Sequence, residues 1–120
     1  MYRCRVFLLF TALAAAPAGA EDYPQFAGAR LELGRSVWVE NCATCHAFGV
    51  AGAPLATDAS KWEPRVAKGR EMLYRHALEG FYGPGSTMMP ARGGNDALSD
   101  EQVTAAVDYM VRLSTGTNLN

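Results

Sequence analysis

What this 120-residue chain has little of narrows it before any motif is read. Charge is sparse: 19% of residues are charged and the formal net charge is −1, so there is no basic stripe for a nucleic-acid backbone. β-Branched residues are few beside abundant glycine and alanine, which argues against a β-sandwich. No apolar run reaches the ~20 residues of a membrane span. There is no internal repeat and no low-complexity tract. Histidine is limited to His46 and His76, and cysteine to Cys4, Cys42 and Cys45. A chain of this length holds one small domain, not two.

What is present falls into two unlike parts. Residues 1–20 carry Arg3 and Arg5, no acid, an apolar run from Val6 to Ala16, and then Ala18-Gly19-Ala20, small residues where a signal peptidase reads. This pattern predicts a secretory signal peptide over 1–20 and a mature domain over 21–120 located in the periplasm, with no integral membrane span. Cys4 precedes the apolar run, is not placed to carry a lipid, and leaves with the peptide. The mature part has nine basic and twelve acidic residues, a formal charge of −3. Disulfides are permitted outside the cytoplasm. A single C-x-x-C loop is nevertheless too small to staple a domain of this size, so Cys42 and Cys45 read as residues kept for chemistry.

Periodicity predicts an all-α domain of three to four short helices joined by long loops. Leu31, Gly34, Trp38 and Cys42 share one face of a helix over about 29–44. A Gly/Ala/Pro-rich loop follows over 47–60. A short helix is expected over 61–68 with Pro64 in its first turn. Another runs over 70–79, between Gly69 and Gly80. A glycine-rich loop spans 80–98. Ser99 and Gln102 form a capping box for the last helix, Asp100 and Glu101 suit its dipole, and Gly116 lies past its end. Structureless loops of this length in a compact domain usually wrap something, here a large, flat, apolar cofactor.

Cys42-Ala43-Thr44-Cys45-His46 is the C-x-x-C-H pattern of covalent haem c attachment. Two cysteines at i and i+3 present both sulfurs to one edge of the ring, where each adds across a vinyl group. The next residue, His46, then lies where it can supply an axial imidazole to the iron. Three rival readings each lack a part. A thioredoxin-like dithiol wants a preceding strand, a structural zinc site wants four ligands, and a plain disulfide leaves His46 unexplained. The 80–98 loop offers Met88 and Met89 before Pro90 as the sixth ligand. A thioether suits low-spin iron, and methionines in such a loop sit on no helical stripe that would make them simple core filling.

The chain resembles a small bacterial class I cytochrome c, close to the cytochrome c5 type, over about 33–110. The resemblance is carried by Gly34-x-x-x-Trp38-x-x-x-Cys42-Ala43-Thr44-Cys45-His46, Gly52-Ala53-Pro54, Trp62-Glu63-Pro64-Arg65, Met89-Pro90-Ala91-Arg92-Gly93-Gly94, Leu98-Ser99-Asp100 and Ala106-Val107-Asp108-Tyr109-Met110. It implies the cytochrome c fold around one haem, with His46 and Met89 as axial ligands and Met88 as the fallback. It implies that Gly34 and Tyr109 meet where the first and last helices cross. Pro54 would lie in the loop whose carbonyl orients the proximal imidazole, and Trp62 and Arg65 near the haem propionates. One departure stands out: relatives of the c5 type often carry a second cysteine pair after the Gly-Gly, where this chain has Asn95 and Asp96.

The expected function is a soluble one-electron carrier, not an enzyme, that meets redox partner proteins transiently as a monomer or weak dimer. The alternatives are a dedicated cytochrome subunit of a larger oxidoreductase complex and an open-site haem peroxidase or sensor. His76 reads as a surface residue. Lys61, Arg65, Lys68, Arg70 and Arg75 read as a solvated basic face, Arg65 apart, although such a cluster can also steer a partner.

Overall fold

The computed structural model describes residues 23–119; the predicted signal peptide and its cleavage site lie outside the described residues. Among these residues the architecture is helical. Helix α1 (Ala29–Val37) runs without a break through a π-helical turn (Trp38–Cys42) into α2 (Ala43–His46). After a loop with a 3₁₀ turn at Val50–Gly52 come α3 (Ala59–Val66) and α4 (Arg70–Glu79). A two-residue antiparallel ladder then pairs β1 (Phe81–Tyr82) with β2 (Met88–Met89), in the register Phe81 to Met89 and Tyr82 to Met88. A 3₁₀ turn at Ala91–Gly94 leads to the long closing helix α5 (Asp100–Thr115).

The chain closes where α1 crosses α5. Gly34 is buried at the crossing, and a Cβ there would stand 2.1 Å from the Ala105 carbonyl oxygen and 3.0 Å from Tyr109 Cβ. Only a residue without a side chain lets the two backbones approach so closely. Trp38 and Tyr109 fill the space beside it, both wholly buried, with ring centroids 5.8 Å apart. The segment before α1 folds back over this crossing. Tyr23 meets Trp38 edge-on at 4.7 Å, Tyr109 donates its hydroxyl proton to the Pro24 carbonyl at 2.8 Å, and Arg35 donates to the Tyr23 carbonyl at 3.0 Å.

The remaining helices are set by their ends. Ser99 caps α5: its hydroxyl accepts from the Gln102 amide at 3.2 Å, while the Gln102 side chain accepts from the Ser99 amide at 2.9 Å. Gly116 ends α5 in the left-handed conformation. Helix α4 occupies the predicted span between Gly69 and Gly80. Three local expectations change. Helix α3 begins at Ala59, so Pro64 sits in its interior rather than its first turn; the helix then lasts only until Val66. The 47–60 loop contains a 3₁₀ turn, and the 80–98 loop is organised by the β1–β2 ladder instead of lacking structure.

Candidate haem site

The π-helical turn delivers the cysteine motif. Its extra residue per turn falls just before Cys42, and Asn41 within it donates its side-chain amide to the Val37 carbonyl at 3.0 Å. Cys42 and Cys45 are half-buried free thiols on α2 and its N-terminal flank. Burial pushes the Cys42 thiol up to about 11, with the neighbouring Cys45 adding to it.

His46 ends α2 and is buried. Its Nδ1 lies 2.9 Å from the Pro54 carbonyl oxygen. A carbonyl can only accept, so Nδ1 carries the proton and Nε2 keeps a free lone pair. Burial lowers the imidazole pKa, the bond to Pro54 opposes that shift, and the positive charge of Arg65 adds to it. The ring is therefore held neutral, as a metal ligand must be. The 47–58 loop is shaped to keep this bond: the Ala56 amide donates to the His46 carbonyl at 2.8 Å, and Trp62 of α3 donates its indole proton to the Leu55 carbonyl at 2.9 Å. Trp62 itself lies 5.9 Å from the His46 ring. Arg65 sits over Trp62 and donates to the Lys61 carbonyl.

Facing this side is the methionine loop. Met89 lines one narrow, apolar cleft together with Cys42 and His46, and the walls are Val37, Ala77, Val103, Ala106, Val107 and Met110. Met88, one position earlier, points away from the cleft lining and is 48% exposed. Gly80 brings the end of α4 against this loop: its φ of +88° is left-handed, and a Cβ there would stand 3.1 Å from both the Met89 oxygen and the Ala91 nitrogen. His76 is not among the residues lining the cleft; it stacks on Phe81 at 4.1 Å.

Two residues that the sequence motifs contain but give no role take one here. Arg92 lines the cleft in a left-handed conformation (φ 53°), anchored to the Leu98 carbonyl at 2.8 Å and to Asp100 at 2.5 Å. Asn95, where c5-type relatives often have cysteine, donates to the Asn41 side chain at 2.8 Å. That bond ties the methionine loop to the helix that carries Cys42. Of the basic residues, Arg70 is fixed on the Leu119 carbonyl at 2.5 Å.

One apolar cleft lined by the Cys42 thiol, a buried imidazole and a thioether, with the second thiol, Cys45, three residues along the same helical run, forms a donor set that fits covalently bound haem c. The fold and this site together define a c-type cytochrome domain. Comparison with known proteins agrees. A family model described as cytochrome c oxidase, cbb3-type, subunit III matches residues 29–110, and the chain belongs to that family of haem c domains. It is 45% identical over 78 residues to cytochrome c-555 of Chlorobaculum tepidum, covering 65% of this chain and 71% of that protein. It is 43% identical over 84 residues to cytochrome c-555 of Prosthecochloris aestuarii, covering 68% and 85%. Among solved structures it resembles a chain from an electron transfer complex of nitrite reductase with cytochrome c, at 36% identity and TM-score 0.59, covering 68% of this chain and 94% of that one. It also resembles a mono-haem ferrocytochrome c from Shewanella putrefaciens, at 34% identity and TM-score 0.54, covering 64% and 89%.

Proposed function

We propose that the chain is a periplasmic one-electron carrier whose iron is held by His46 and Met89. The observation that carries this reading is the placing of Met89 and His46 on one cleft, with the imidazole oriented by Pro54. Haem supplies the Fe(III)/Fe(II) couple. Cys42 and Cys45 would tether the group, Pro54 fixes the tautomer of His46, and His46 and Met89 would hold the iron. The protein also excludes water with the apolar walls of the cleft. Were His46 and Met89 both to hold the iron, no site would remain for a substrate, which supports a carrier over an enzyme. Among the described residues no helix is long and apolar enough to cross a membrane. Partners are redox proteins met transiently.

The test is a spectrum and a titration of protein matured with haem in the periplasm. A c-type visible spectrum, a weak near-infrared charge-transfer band in the oxidised form and a reversible one-electron couple are expected. Ready binding of carbon monoxide without that band would instead give the open-site reading. The subunit reading is favoured by the description of the family model. Copurification of the tagged chain with membrane oxidase subunits, at fixed stoichiometry through high salt, would support that reading over a free carrier.

A further inference from the structure

Arg92 combines an unfavourable backbone with an unfavourable environment. Its φ of 53° is left-handed, in a turn where Gly93 and Gly94 adopt the same region without strain. Of the residues that line the cleft, Arg92 alone carries a charge, since His46 is held neutral. A glycine would fit the turn better and an apolar residue would fit the lining better, so the guanidinium itself is what this position keeps. Two acceptors fix it. It donates to the Leu98 carbonyl at 2.8 Å and to Asp100 at 2.5 Å, and Leu98 is itself on the lining. The two ends of this ion pair sit in different media: the Arg92 side chain is 25% exposed and that of Asp100 73%. Water screens the carboxylate far more than the cation, so the pair presents net positive charge to the cleft. The methionine loop does not depend on these bonds alone. Asn95 ties it to Asn41 at 2.8 Å, and the Gly93 amide closes its turn on the Pro90 carbonyl at 3.1 Å. Arg65, the cation that acts on His46, lies over Trp62 and is not on the lining.

We propose that Arg92 sets the reduction potential: its fixed positive charge faces a group that gains one positive charge on oxidation, and so favours the reduced form. The proposal rests on the carrier reading, with His46 and Met89 as ligands, and names the residue that tunes that site. A unit charge on the order of 10 Å away, at an effective dielectric constant of about 20, shifts a one-electron equilibrium on the order of tenfold. Tenfold for one electron is about 59 mV. Asp100 opposes Arg92 with the same size of charge, but from water, where its effect is several times smaller. Removing the cation and removing its counter-charge therefore move the potential in opposite directions. A residue that only held the loop would behave differently: loosening the loop from either partner weakens the hold on Met89 and moves the potential down in both cases.

The test titrates the haem-bearing protein against a reference redox couple and reads the near-infrared band of each oxidised sample. Arg92→Gln, which removes the charge, is expected to shift the ratio of oxidised to reduced protein toward the oxidised form on the order of tenfold. Arg92→Lys, which keeps a charge there, is expected to stay within about threefold of wild type. Asp100→Asn keeps an oxygen that can accept from Arg92 and removes only the counter-charge; it is expected to shift the ratio toward the reduced form by about twofold to threefold. All four proteins are expected to keep the band. An unchanged ratio in Arg92→Gln, or a ratio in Asp100→Asn that is unchanged or moved toward the oxidised form, overturns the proposal. Loss of the band in both Arg92 variants makes Arg92 a clamp on Met89 and overturns it as well. If Arg92→Gln alone loses the band, Arg92→Lys and Asp100→Asn decide: both as expected supports tuning, and any other pair of results overturns it. Absence of the band and of a reversible couple in the unsubstituted holoprotein overturns the carrier reading, and the tuning with it.

Discussion

Met88 and Met89 are chemically the same side chain one position apart, and a β-ladder turns them to different sides. Met89 faces the cleft and Met88 faces solvent. Replacing each by alanine therefore separates ligation from general damage to the loop. Met89→Ala is expected to abolish the near-infrared band of the oxidised protein, lower its reduction potential and admit carbon monoxide. Met88→Ala should keep the band; its loss there, with retention in Met89→Ala, would move the ligand by one residue. At the helix crossing the decisive residue is Gly34. Gly34→Ala places a carbon 2.1 Å from a backbone oxygen that cannot swing aside. Helices α1 and α5 must then separate, at a cost of about 3 kcal/mol or more, or on the order of 10–20 °C in Tm. A holoprotein melt within a few degrees of wild type would show that the crossing relaxes freely.

Helix α5 shows how much an element's own ends can decide. Its cap is written locally, in Ser99 and Gln102, and so the helix start is legible in the sequence. Ser99→Ala removes an accepted amide bond at the helix start and should cost about 1 kcal/mol by guanidinium denaturation; Ser99→Asp should restore most of it. The same locality made α4 legible between its two glycines. Elements whose existence depends on distant contacts were not legible. The π-turn differs from an α-helix by one residue in the register of Trp38–Cys42, below what apolar periodicity can resolve. The β1–β2 ladder has two residues a strand, too few for alternation to register. Proline favours a helix's first turn, which is where local sequence puts Pro64. It sits inside α3 instead, where the bond from Trp62 to Leu55 and the packing around His46 hold the helix around it. The Asn41–Asn95 bond joins positions 54 residues apart, which no local pattern announces.

Over the whole molecule, the centre is shared between helices and cofactor. The cleft walls come from the π-turn helix, α4 and α5, and the same side chains belong to the buried core in which these three elements meet. Changing Cys42 and Cys45 together to alanine is expected to leave a chain with about half or less of the holoprotein's helical signal by circular dichroism, because a group that binds only the folded state stabilises it. Full helicity with a cooperative melt in that variant would show that the fold stands alone. The C-x-x-C-H motif was readable because covalent attachment demands its three side chains in fixed spacing. The walls were not, because valine and alanine on a helix look the same whether they face a neighbour or a ring. Export is expected to come first, so mass spectrometry of haem-bearing protein should find Glu21 at its amino terminus.

The most consequential bond of the site runs from His46 to an oxygen that every amino acid possesses. The acceptor is the main-chain carbonyl of Pro54, not a side chain. The Trp62 indole and the Arg92 guanidinium likewise end on the carbonyls of Leu55 and Leu98. Drift at positions 54, 55 and 98 can therefore change shape and stiffness but cannot delete an acceptor. The iron's surroundings are insulated from mutation on the accepting side and exposed to it on the donating side. A lineage of such proteins can reshape its outer loops for new partners while the orientation of the imidazole is inherited unchanged.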